Sequence, residues 1–271
     1  MKIPGKYLPE YLLVVTVMLV SVLGFWEIYL GAGADPQPRH HLHLLTTFLW
    51  LGLLLFQLSL IGRAKYRKHR NVGLAVLVAA PLLVATTAML SVHSAHRGLV
   101  SGEGDELIVQ NVMVTIELGL LILFAFILRK NRKLHASFLL STTIIFLGIA
   151  LFFTLWKFVP LLTNQAPETF DPESAGILGQ IISPSLGLLF FLKDFRNGWP
   201  FLLAGPSFFL NEVIRSWLAG QDLIQPLTEF VGSLNTAMTF IGAFVVLSAS
   251  LAATGLKIPR RRAAIEAVPG S

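Results

Sequence analysis

The sequence predicts an all-α, polytopic transmembrane helix bundle of about eight spans with both termini cytoplasmic. Three observations carry that prediction. Of 271 residues, 54% are hydrophobic and 13% charged, with a mean hydropathy of +0.70; soluble domains have about a quarter of their residues charged. Long apolar runs recur, and about 20 such residues cross a hydrocarbon core about 30 Å thick. Lys and Arg concentrate in alternate loops between those runs.

The runs are taken in order. Residues 11–30 (YLLVVTVMLVSVLGFWEIYL) are too long for a signal-peptide core and lack a small-x-small cleavage site close behind, so they read as a retained first span. The second, 42–62, follows Pro36 and Pro38, which suit a turn feeding a helix start. The third, 72–92, carries Pro81, and the fourth, 108–128, carries Glu117. The fifth is 136–156; the sixth, 175–192, carries Pro184; the last two are 199–219 and 227–256. Each proline in mid-span is expected to kink its helix. Runs this long and non-alternating suit helices and not a transmembrane barrel. No repeat marks an inverted-repeat transporter.

Seventeen of the 21 Lys and Arg residues fall on one side: Lys2, Lys6, Arg63, Lys65, Arg67, Lys68, Arg70, Arg129, Lys130, Arg132, Lys133, Lys193, Arg196, Lys257, Arg260, Arg261 and Arg262. The other side keeps Arg39, Arg97, Lys157 and Arg215, and its loops hold Asp35, Glu103, Asp105, Glu106, Glu168, Asp171, Glu173, Asp222 and Glu229. Basic loops stay cytoplasmic, which predicts a multi-pass protein of the bacterial cytoplasmic membrane. The net charge of +6 then faces anionic headgroups, so the expected partner is the lipid bilayer and not nucleic acid. The chain has no cysteine, which excludes disulfides, iron–sulfur clusters and thiolate zinc sites.

Depth follows from topology at about 1.5 Å per helical residue. Glu27, Glu117, Glu212 and Arg215 fall within spans, with Asn111, Asn211 and Asn235 in the outer half and Gln57 as the main polar residue of the inner half. Ionisable groups in a bilayer usually face a bundle interior or a cavity. Glu117, Asn211, Glu212, Arg215 and Gln57 are therefore candidates for a buried polar cavity opening outward. Glu212 and Arg215, spaced i, i+3, also suit a simple ion pair on one helix face, and Glu27 beside Trp26 and Tyr29 suits an interfacial belt.

His40-x-x-His43 and His93-x-x-His96 are two i, i+3 pairs at the outer ends of neighbouring spans. Four imidazoles converging there are the first candidate site, with His41, His69 and His135 behind them. Three chemistries fit: a b-type haem with one axial imidazole from each helix, such as His43 and His93; a divalent transition metal held by three or four imidazoles, with Glu103, Asp105 or Glu106; or a proton relay or sensor. Interfacial histidines without any cofactor remain the plain alternative. His69 and His93 are expected on one span, and the 24 residues between them take about 36 Å of helix, more than the hydrocarbon thickness. That ranks a single outer site ahead of a two-haem relay through His69 and His135.

The stretches HHLHLLTTFLWLGLLLFQLSLI (40–61), KHRNVGLAVLVAAPLLVATTAMLSVHS (68–94) and RKNRKLHASFLLST (129–142) resemble a group of uncharacterised bacterial multispanning membrane proteins. The matching positions are His40, Leu42, His43, Trp50, Gln57, His69, Arg70, Gly73, Ala80, Pro81, Leu134, His135 and Ala136. That group is in turn loosely similar to the ascorbate-type b cytochromes, in which histidines on successive helices hold haems on both sides of the membrane. The resemblance implies no activity of its own, and residues beyond 142 carry no matching motif. The functional expectation is thus a redox or metal protein. The alternatives are a non-catalytic membrane subunit with a membrane protein partner, and a carrier of a small or lipidic molecule.

Overall fold

In the computed structural model, residues 5–102, 104–163 and 171–256 are described; among them all regular structure is helical. Lys2, Glu103, Glu168, Lys257, Arg260, Arg261 and Arg262, which contribute to the expected orientation, lie outside the described residues. A short turn, Gly5–Tyr7, leads into α1 (Leu8–Gly24) and α2 (Trp26–Leu30). Then come α3 (Pro38–Gly62), α4 (Tyr66–Gly73), α5 (Val76–Ser101), α6 (Ile108–Ile127), α7 (Arg132–Thr163) and α8 (Pro172–Lys193). The chain continues through α9 (Trp199–Ala204), α10 (Ser207–Ala219), α11 (Ile224–Ser233) and α12 (Thr236–Leu256).

Six of these, α3, α5, α6, α7, α8 and α12, are long and apolar enough to cross a membrane. Three expected single runs are broken. The run 11–30 splits at Phe25 into α1 and α2; 199–219 splits at Gly205–Pro206 into α9 and α10; and 227–256 splits at Leu234–Asn235 into α11 and α12. Pro206 has no N–H to give and a ring that crowds the preceding turn, which explains the second break. Ser207 Oγ donates across the break to Ala204 O at 2.8 Å. Asp171 caps α8 by accepting from the Ser174 N–H at 2.8 Å, and that bond holds its carboxyl below the usual range.

Two helices organise the bundle. α5 packs against α3, α6, α11 and α12, while α7 packs against α1, α6, α8 and α9. Their most apolar stretches are 67% and 56% buried, against 11% for α12 and 28% for α8, which makes the latter pair the periphery. Close approach uses small residues, as expected where lipid offers no hydrophobic drive between helices. A Cβ on Gly24 of α1 would stand 2.6 Å from Ala150 O of α7, and one on Gly187 of α8 the same distance from Phe201 O of α9. Thr154 Oγ1 donates across the first of these contacts to Val20 O at 3.0 Å. At the centre Trp50 is fully buried, and its indole N–H donates to Thr142 Oγ1 of α7 at 3.0 Å.

Polar contacts sort the two ends of the bundle. At one end Lys193 meets Glu10 at 2.6 Å, Lys133 meets Asp194 at 3.2 Å, and Arg129 donates to Thr254 O at 3.3 Å. Asn197, which donates to Asp194, is the first cause that keeps the Asp194 carboxyl below the usual range. At the opposite end Lys157 meets Glu27 at 3.5 Å, and Tyr29 hydrogen-bonds His41. Glu27 is exposed there, on α2, and so does not sit inside the bundle.

Candidate functional site

The helix start decides the geometry of the first histidine pair. Gln37 caps α3 and Pro38 is its first residue, so His40 and His43 are helical and keep their i, i+3 register. His40 is the third helical residue, and its Nδ1 accepts from the Gln37 backbone N–H at 2.9 Å in a capping box. Its ring stands edge-on to that of His93 on α5, with centroids 5.4 Å apart. Arg39 Nη1 donates to His93 Nδ1 at 2.8 Å. An accepting Nδ1 places the ring hydrogen on Nε2, so His40 and His93 both present N–H groups.

His43 is in the other state. Thr86 Oγ1 gives its hydrogen to Leu83 O at 2.9 Å, so at 3.3 Å it receives the Nδ1–H of His43. The lone pair of His43 is then on Nε2, whose protein contact is Thr47 Oγ1 at a long 3.4 Å. Donating one ring nitrogen to an oriented oxygen while presenting the other is the usual arrangement of a ligating imidazole. Thr46 Oγ1, 2.8 Å from Thr86 Oγ1, braces the set. These threonines were missed by reasoning from histidine spacing, although the TT pair at 46–47 lies one turn after His43 on the same helix.

His96 and His41 are both exposed; His41 is turned away to Tyr29. The expected convergence of four imidazoles thus reduces to the His40–His93 pair, with His43 one turn further along α3 and held against Thr86. Among the described residues no three His, Asp or Glu side chains are placed to hold one metal ion. Of the acidic candidates, Asp105 is buried beside Ser94 and Asn111, and burial pushes its carboxyl above the usual range.

A second cluster forms at the basic end. His69 lies on α4, which ends at Gly73, so it does not share a helix with His93 and the 36 Å estimate does not apply. Gln57 of α3 turns its amide to donate to His69 Nδ1 and, at 3.2 Å, to His69 O, while accepting from the Gly73 N–H at 2.9 Å. Gln57 therefore belongs with His69 and not with the Glu117 group. Burial and then the neighbouring His135 hold His69 below the usual histidine range. His135 donates Nδ1–H to Ala125 O at 2.7 Å, leaving Nε2 as its acceptor.

The remaining polar candidates lie between α6 and α10. Glu212 and Arg215 form a two-bond ion pair on α10, at 2.8 and 2.5 Å, with both side chains about 40% exposed. An exposed i, i+3 pair of this kind contributes about 0.3–0.5 kcal/mol. Asn211 is 1% exposed, and its amide stands close enough to act on the Glu117 carboxyl without reaching good hydrogen-bond geometry; Oε2 of Glu117 is likewise left without a well-formed bond.

No protein-family model, curated protein or solved structure matches this chain. The residues provide His43 held against Thr86 on α5, His135 held against Ala125 O near the basic end, the His40–His93 ring pair, and a separate acid–amide contact.

Proposed function

We propose that the chain is an integral protein of the bacterial cytoplasmic membrane, with eight spans and both termini cytoplasmic. We propose further that it is a redox or metal protein, binding a b-type haem or a divalent transition metal between α3 and α5. The eight spans are α1, α3, α5, α6, α7, α8, α9 with α10, and α12. An even number is supported by the contacts of Glu10, at the start of α1, and Thr254, near the end of α12, which both fall at the basic end.

The single observation that carries the site is how His43 is held, Nδ1 at 3.3 Å from Thr86 Oγ1, which itself donates to Leu83 O, and Nε2 at a long 3.4 Å from Thr47 Oγ1; with its hydrogen on Nδ1 the ring presents Nε2. The fit is complete for this one ligand. His93 would supply the second from the facing helix once Arg39 releases its Nδ1; His40 and His96 stand behind it. Two imidazoles, His43 and His93, would suit haem better than a metal needing three or four protein ligands. When bound, such a group would exchange single electrons. The chain's own part is to orient His43 through Thr86, to keep Trp50 packed beneath, and to hold Arg39 as a cation at the rim.

An absorption spectrum and metal analysis of one purified sample test this. A Soret band, or one equivalent of metal, that disappears in His43→Ala and His93→Ala supports it. A colourless, metal-free preparation sinks it, and a membrane partner co-purifying with that preparation would favour the non-catalytic subunit instead.

A further inference from the structure

The contact between α6 and α10 has no part in the histidine chemistry. It holds the most unusual hydrogen-bond deficit in the spans: a fully buried carboxamide with two idle ends, facing a carboxyl with an idle oxygen. Buried polar groups left unpaired destabilise the fold, so the deficit calls for a partner. One added hydrogen removes most of the deficit. A carboxylic acid at Glu117 donates O–H to Asn211 Oδ1, and Asn211 Nδ2 donates back to the other carboxyl oxygen. No charged group on the elements packed against α6, namely α5, α7, α10, α11 and α12, acts on Glu117; the Glu212–Arg215 pair lies one turn above on α10, paired to itself.

Polar residues continue from this contact toward one end of the bundle. Gln110 and Glu117 fall on one face of α6, seven positions apart, and Glu106 stands in the turn just before the helix. Arg215 lies one turn above Asn211 on α10 and is close enough to feel the Glu106 charge. Above both is a pocket of about 430 Å³, lined by Asp105, Glu106, Arg215, Asp222 and Gln225 among others. On the flank, Ile116, Leu120, Leu210 and Val213 are exposed and apolar, so the carboxyl is also within reach of molecules dissolved in lipid.

We propose that the α6–α10 contact is a proton-binding site that opens to the end of the bundle bearing the 104–107 segment. A proton enters from the pocket, joins the Glu117 carboxylate to form the carboxylic acid, and is held there against the Asn211 amide. It leaves by the same route, regenerating the carboxylate.

The apolar reagent dicyclohexylcarbodiimide tests this, because it reacts with a protonated carboxyl in an apolar setting. The acid proton passes to a carbodiimide nitrogen, the carboxyl oxygen attacks the central carbon, and the adduct rearranges to an N-acylurea retaining every atom of both reactants. The full chain is placed in proteoliposomes with the 104–107 end outward, and the adduct on the Glu117 peptide is quantified by mass spectrometry. Labelling at Glu117 is expected to fall several-fold when the external buffer is made alkaline, and to hold when only the internal buffer is changed. Glu117→Gln, which still offers Asn211 an amide partner, should fold and lose the adduct on that peptide. Absence of labelling at Glu117, labelling indifferent to both buffers, or labelling that follows the internal buffer overturns the proposal.

Discussion

Asp105 shows how one buried side chain can make stability depend on pH. Its Oδ1 accepts from the Leu107 N–H at 3.0 Å, while its Oδ2 is buried without a partner. Burial raises its folded-state pKa above the unfolded value, so the folded protein binds this proton more tightly than the unfolded chain does. Its stabilising contribution is therefore complete below the unfolded pKa and is lost as pH rises through the folded one. Asp105→Asn keeps the acceptor for Leu107 and removes the charge. The variant should melt at a higher temperature than the parent at neutral pH, with the gap closing in acid. Melting curves in detergent across a pH series check this, and parallel curves would contradict it.

Individual helices depend on a few close contacts that hydropathy does not register. Gly98, near the end of α5, lies so close to the following loop that a Cβ there would overlap the Gly104 carbonyl, whose own N–H donates to Gly98 O at 3.0 Å. Gly52, in mid α3, has nothing within 4 Å of the same position. Gly98→Ala should therefore cost about 1–3 kcal/mol through displacement of the loop. Gly52→Ala should be neutral or slightly stabilising, by helix propensity alone. Equal melting temperatures for the two variants would show that the loop does not press on α5. The long helices could be read from apolar runs, because lipid imposes length and composition together. The break at Phe25 could not, since it interrupts a run that stays apolar on both sides, and those at Gly205–Pro206 and Leu234–Asn235 are marked by breaker residues that hydropathy does not weigh. The meeting of His40 with His93 followed from two short-range facts, an i, i+3 spacing and a short connection. The hydrogen bonds of Arg39, Thr86 and Gln57 depend on how helices are rotated about their axes. Counting depth along a span leaves that rotation open, so it cannot tell that Gln57 meets His69 and not the Glu117 group.

For the molecule as a whole, the sorting of contacts into two ends makes topology directly measurable. The chain has no cysteine, so any introduced thiol is a unique label. With eight spans and cytoplasmic termini, Gly33→Cys and Gly102→Cys should react with a membrane-impermeant maleimide on intact cells. Lys65→Cys, Lys130→Cys and Arg196→Cys should react only after permeabilisation. Labelling of both groups from the same side would reject the arrangement.

Three residues of α3 connect the two ends: His43 with Thr86, Trp50 with Thr142, and Gln57 with His69, each separated by seven positions. Seven residues are nearly two turns, about 10 Å of rise, so all three point the same way along the helix. The helix thus acts as an axle whose two fittings must stay in phase. A single residue inserted between Trp50 and Gln57 would turn everything below it by about 100° while leaving the upper fitting untouched. Sequence length within that interval is consequently far less free to vary than the identity of the apolar residues that fill it.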